Sequence, residues 1–105
     1  MIVYVDKDRN VFVPSGFTPN GDNANDIFMV HGDDGIQEIL SFKVFDRWGE
    51  VVFEASNAEP NDPEYGWDGT FRGQEMNPGV FVWIAEILFI DGYSEVYKGD
   101  VTLIR

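Results

Sequence analysis

The segment from Asn20 to Asp26 sets an oxygen donor at every second position. Asn20, Asp22 and Asp26 offer side-chain oxygens, and Ala24 lies where a backbone carbonyl would complete the set. That spacing wraps a chain around a hard cation such as calcium, which takes oxygen ligands. It is not an EF-hand: the sixth loop position holds Asn25 rather than Gly, and the twelfth holds His31 rather than Glu. A second reading needs no metal. Asn and Asp side chains accept hydrogen bonds from backbone N–H groups two residues on, and so build tight turns. The residues alone leave both readings open. Calcium is the only cofactor they suggest.

Other chemistry finds little support. The chain has one histidine, His31, and no cysteine. Its serines, Ser15, Ser41, Ser56 and Ser94, lack the Gly-flanked turn that exposes a nucleophile. Carboxylate pairs abound, but 19 acidic residues in 105 make them expected by chance. No disulfide framework or Cys-based zinc site is available. The expectation is a protein that is not an enzyme.

The formal charge of -12 excludes some partners. Five acidic residues and no basic one lie between Glu54 and Asp68, and four acidic and no basic between Phe17 and Asp34. Such a surface repels phosphate backbones and anionic lipid, so nucleic acid is not an expected partner. No apolar run is long enough to span a membrane, and the Ile2–Val5 run is too short for the apolar region of a signal peptide. The start is expected to be that of a domain cut from a longer chain.

Two tryptophan blocks stand out. In Phe45-Asp46-Arg47-Trp48-Gly49-Glu50, Gly49 marks a turn between apolar runs. Trp48 either plugs that hairpin or anchors a partner, and the plug is the expected role. In Gly66-Trp67-Asp68-Gly69-Thr70, two glycines bracket a turn that would pin Trp67. Asp68 would bond its own turn or pair with Arg47 or Arg72. Trp48 and Trp67 together could also form a sugar-stacking platform.

The elements that must carry these blocks are strands. Phe81-Trp83-Ala85-Ile87-Phe89 are apolar at every second position, and the alternate set from Val80 to Leu88 is nearly as apolar. This predicts a central strand with one face buried and the other largely covered. Tyr97–Leu103 and Leu40–Val44 alternate as half-buried strands. Asp91-Gly92 predicts a hairpin turn. Shorter strands are expected at Ile2–Val5, Val11–Val13, Ile27–Val30 and Val51–Glu54. Residues 55–79 read as a long ordered loop with one short strand near Thr70–Arg72. About seven strands in one small domain predict an all-β, immunoglobulin-like antiparallel sandwich.

Taken in order, the blocks resemble a known family. Val13-Pro14-x-x-Phe17-Thr18-Pro19-Asn20-Gly21-Asp22-x-x-Asn25-Asp26 comes first, then Phe45–Gly49, Gly66–Thr70 and Asn77-Pro78-Gly79-Val80-Phe81. Lys98-Gly99-Asp100-Val101-Thr102-Leu103-Ile104-Arg105 closes the series. This is similar to the gliding motility-associated C-terminal domain of Bacteroidetes, the type B sorting domain of the type IX secretion system. The similarity runs from Val11 to Arg105 and implies one sorting domain over the whole chain, 1–105. It implies a domain covalently joined to a large cargo protein. That domain addresses the cargo to outer-membrane components of the secretion machinery, for export through the periplasm to the cell surface or medium, without inserting into the membrane itself.

The distinctive blocks then become the expected recognition surface: Phe17, Pro19, Asn20, Asp22, Asn25 and Asp26, with Arg47, Trp48, Lys98, Val101, Leu103 and Arg105. Gly49, Trp67, Asp68 and Gly69 are expected to make structural turns. The alternative functions are a calcium-stabilised adhesion or stalk module and a carbohydrate-binding module.

Overall fold

A computed structural model of the chain describes residues 11–21 and 26–105. The expected Ile2–Val5 strand therefore lies outside the described residues. The chain folds around four long antiparallel strands. These are β4 (Ile36–Phe45), β5 (Val51–Ala58), β8 (Gly79–Phe89) and β9 (Ser94–Leu103). They form one five-stranded sheet in the order β2-β9-β8-β4-β5, in which β2 (Gly16–Phe17) pairs in parallel with the end of β9. The sheet's inner face is the predicted period-2 set. Phe81, Trp83, Ala85, Ile87 and Phe89 of β8 are buried, as are Ile36, Ile39, Phe42 and Val44 of β4.

A second, irregular layer covers that face. It holds the β1–β3 pair (Val11–Phe12 with His31–Gly32) and the β6–β7 hairpin (Thr70–Phe71 with Gln74–Glu75). It also holds the segment around Phe28 and Val30, both fully buried. The result is an all-β sandwich, as expected. It has nine strands among the described residues rather than about seven, because five of them are only two residues long. Strands such as His31–Gly32 and Gln74–Glu75 are too short and too polar to show alternation.

Three expectations need correction. Ile27–Val30 is not a strand; it makes a single bridge, Phe28 with Trp67. Residues 55–79 are more regular than a long loop. β5 continues to Ala58, Pro63–Tyr65 form one 3-10 turn, and β6–β7 make a hairpin where one strand was expected. Arg72 and Gly73 both take positive φ, 56° and 81°, as a two-residue hairpin loop of this hand requires. Finally, the outer face of β8 is not largely covered: Val80 and Val82 are exposed.

Asn61 holds the second layer together. Its N–H donates to the Val30 carbonyl at 2.9 Å. Its side chain donates to the Gly32 carbonyl at 2.8 Å and accepts from the Gly32 N–H at 3.3 Å. This pairing across 29 residues satisfies backbone groups that a broken strand leaves without a ladder.

Gly66 shows how tightly the segments of this second layer pack. A Cβ there would overlap Ile27 Cγ2 and stand 2.9 Å from the Phe28 carbonyl oxygen. Gly79 has nothing within 4 Å of such an atom. Gly66→Ala is therefore expected to lower stability by about 1–3 kcal/mol through overpacking. Gly79→Ala should change it by less than about 1 kcal/mol. Urea unfolding midpoints of the two variants check this; equal midpoints would contradict it.

Candidate functional site

The two tryptophan blocks meet opposite fates. Trp67 is 1% exposed. Its backbone exchanges two hydrogen bonds of 2.8 Å with Phe28, one in each direction. Its indole packs edge-on against Phe81 at 4.9 Å and tilts against Phe17 at 5.4 Å. The indole N–H donates to the Thr70 carbonyl at 2.8 Å, so the buried ring leaves no donor unpaired. Asp68 bonds its own turn, as one of its expected roles had it: one carboxylate oxygen accepts from Thr70 N–H at 3.0 Å and from the Thr70 hydroxyl at 2.7 Å. Gly69 follows at φ 86°, where a side chain would be strained.

Gly69 is also where three sequence blocks converge. A Cβ on it would lie 3.2 Å from Arg105 Nη2, 3.2 Å from Pro19 Cγ and 3.3 Å from Leu103 Cδ1. Arg105 closes this junction. Its Nε donates to the Met76 carbonyl at 2.8 Å and its Nη2 to the Gly69 carbonyl at 2.9 Å. Glu75 stands 3.8 Å from its Nη1. The planar guanidinium thus bridges the two ends of the β6–β7 hairpin at its open base, reaching them from the end of β9.

Trp48 does the reverse. It is 83% exposed, so the expected hairpin plug is wrong. The β4–β5 turn needs no plug because Asp46 builds it. One Asp46 carboxylate oxygen accepts from the N–H groups of Trp48 and Glu50, each at 2.9 Å. Gly49 takes φ 86° and donates to the Asp46 carbonyl at 3.0 Å. With the backbone satisfied this way, the Trp48 ring is left in solvent. Arg47 lies over it at 5.5 Å, a contact that holds the ring and the cation as one knob.

The knob borders a cleft of about 180 Å³. Asp46, Arg47 and Trp48 form one wall; Met76, Asn77, Pro78 and Gly79 form the other. Arg105 holds Met76 and so steadies the second wall. From Trp48 the apolar surface continues across the outer sheet face. Val51, Phe45 and Val82 are register neighbours across β5, β4 and β8, and Val80 is exposed on β8 beside them. In a chain of charge -12, an exposed Arg–Trp pair beside an apolar strip is chemically distinct from its surroundings.

The remaining expected recognition residues divide. Phe17, Val101 and Leu103 are buried, so their side chains touch the core and not a partner. Their identity shapes the face without forming it. Lys98 is exposed on β9. Pro19 leans on the Gly69 turn. Asp26 ties the loop: one carboxylate oxygen accepts from Asn20 N–H at 3.1 Å and Gly21 N–H at 3.0 Å. Asp22 and Asn25 lie outside the described residues, as does Ala24 of the expected calcium set. Among the described residues no group of three His, Cys, Asp or Glu side chains could hold a metal ion. A shared platform of Trp48 and Trp67 is excluded by the burial of Trp67. The Met76–Gly79 wall was missed as a site because its residues carry no chemistry of their own; the Asn77-Pro78-Gly79 turn signal was the only available hint.

The family model for the CHU_C type IX secretion signal domain matches residues 11–103. No curated protein matches the sequence. Among solved structures, the chain is similar to CopC from Methylosinus trichosporium OB3b at 17% identity and a TM-score of 0.57, covering 89% of this chain and 92% of that one. At that identity the likeness concerns the fold alone.

Arg105 and Trp48 should separate cleanly in stability. Arg105→Ala removes two hydrogen bonds from a charged donor and is expected to cost about 1.5–3 kcal/mol. Trp48→Ala removes an exposed side chain and should change stability by no more than about 0.5 kcal/mol. Thermal unfolding of both variants decides it; a Trp48→Ala loss as large as that of Arg105→Ala would show that the ring is structural after all.

Proposed function

The chain belongs to the CHU_C family of type IX secretion signal domains, and from that premise we propose that it is the folded address of a larger cargo protein, read by outer-membrane components of the secretion machinery. The observation that carries this reading is the family match across both layers of the sandwich, from residue 11 to 103. The cargo is delivered to the cell surface or the medium. The domain contributes no catalysis; its work is to present a surface of fixed shape. A surface already ordered before contact avoids the entropy cost that a disordered tag incurs on binding.

The surface we assign to this reading is the Arg47–Trp48 knob with the cleft behind it. Aromatic and arginine side chains are enriched among the residues that dominate protein interfaces. Here both project from a turn whose backbone is internally satisfied. Pro19 and the end of β9 support that surface from within, through the Gly69 junction. Deleting Lys98–Arg105 is then a poor test, because it would strip Val101 and Leu103 from the core and unfold the domain.

The test is export of a fluorescent protein fused ahead of the domain, in a host with and without the translocon. The reporter is expected outside the cell only when the translocon is present. The same distribution in both hosts would overturn the function. In the competent host, a fusion carrying Arg47→Ala and Trp48→Ala should accumulate in the periplasm while the purified domain keeps its unfolding midpoint. Normal export of that variant would move recognition away from the knob while leaving the function standing.

A further inference from the structure

Asn20-Gly21 is the chain's single Asn-Gly step, and both residues are exposed. Such a step is chemically reactive because glycine has no side chain to obstruct the approach of its own nitrogen. The Gly21 nitrogen loses its proton to solvent base and attacks Asn20 Cγ. A bond forms between that nitrogen and Cγ, the Cγ–Nδ2 bond breaks, and Nδ2 leaves as ammonia after taking up a proton. Water then opens the cyclic imide at either carbonyl. One opening leaves an ordinary aspartate at position 20; the other leaves an iso-aspartyl linkage with an extra carbon in the main chain.

The structure opposes the first step of this sequence. Gly21 N–H donates to Asp26 Oδ1 at 3.0 Å, and Asn20 N–H donates to the same oxygen at 3.1 Å. For Gly21 to attack, its hydrogen bond to a carboxylate must first be broken. The deprotonated nitrogen would also be an anion held against that carboxylate, which raises the energy of the attacking species. The constraint comes from a residue five positions beyond Gly21, so it is lost when the chain unfolds.

We propose that Asn20-Gly21 is a modification site, a latent imide-forming step that Asp26 keeps unreactive in the folded domain. Loss of the fold or of Asp26 releases it. Either product disturbs the loop that leans on the Gly69 junction. An aspartate at position 20 adds a negative charge beside Asp26, and the iso-aspartyl form lengthens the backbone next to Pro19. Position 20 therefore records whether the domain has been unfolded.

The test is peptide mapping by mass spectrometry after incubation at mildly alkaline pH, with and without denaturing urea. Asn20 in the folded domain is expected to convert about tenfold more slowly than in urea, or slower still, the factor that a charge-assisted hydrogen bond supplies. Asp26→Ala should raise the folded rate several-fold toward the urea rate. Asp26→Asn keeps an acceptor oxygen without the charge and should fall between the two. Circular dichroism shows which variants are folded; if Asp26→Ala is not, Asp26→Asn decides. Equal wild-type rates in buffer and urea would overturn the proposal. So would a folded Asp26→Asn that converts no faster than the wild type.

Discussion

The structure depends on the burial of one indole. Trp67 sits between the layers, bonded through its backbone to Phe28 and through its ring nitrogen to Thr70, with Phe17 and Phe81 against its faces and edges. Removing a buried aromatic of this size costs about 3–5 kcal/mol. A domain's whole stability is only about 5–15 kcal/mol. Beyond the Asn61 hydrogen bonds the irregular layer has little else to organise it, since its strands among the described residues are only two residues long. Trp67 does for that layer what a hydrogen-bonded ladder does for the large sheet. Gly66 and Gly69 follow from it: the first lets the Trp67 segment lie against Ile27 and Phe28, and the second turns the chain away at positive φ.

The exposed features follow from the buried ones. Because Trp67 and Gly69 fix the hairpin, Arg105 has carbonyls to reach. Because Arg105 holds Met76, the segment leading into β8 stands as a wall across from the β4–β5 turn. That turn is independently closed by Asp46, which frees Trp48 from any structural duty. The molecule thus assigns one tryptophan to assembly and the other to display. The chain's charge of -12 makes its surface strongly acidic, and the knob with its apolar strip interrupts that surface at one end of the sheet.

Much of this was legible in the residues. The strand of Phe81–Phe89 was plain from strict alternation, and the inner face it predicts is the one found buried. The Asp68 turn and the Asp91-Gly92 turn were signalled by local chemistry that acts over two or three residues. What sequence did not show was the outcome of competition at longer range. Ile27–Val30 has strand composition, but Trp67 offers it only one bridge, and Asn61 takes the neighbouring carbonyl. Phe17, Val101 and Leu103 are distinctive because the core needs them, and distinctiveness alone cannot tell a core residue from a contact residue. Trp48 looked like a plug because exposure of a large ring is unfavourable; the Asp46 hydrogen bonds that make a plug unnecessary become evident only in the folded turn.

The proposed function puts contact with the secretion machinery at the Trp48 end of the domain. Site-specific photocrosslinking tests it most directly, with the photoreactive group placed at position 48 or at Tyr93 in a cargo fusion caught during export. Tyr93 is also exposed, at 69%, but it lies in the β8–β9 turn at the other end of the sheet. Crosslinks to an outer-membrane component from position 48 and not from position 93 are the predicted result. Crosslinks from position 93 alone, or equally from both, would contradict it.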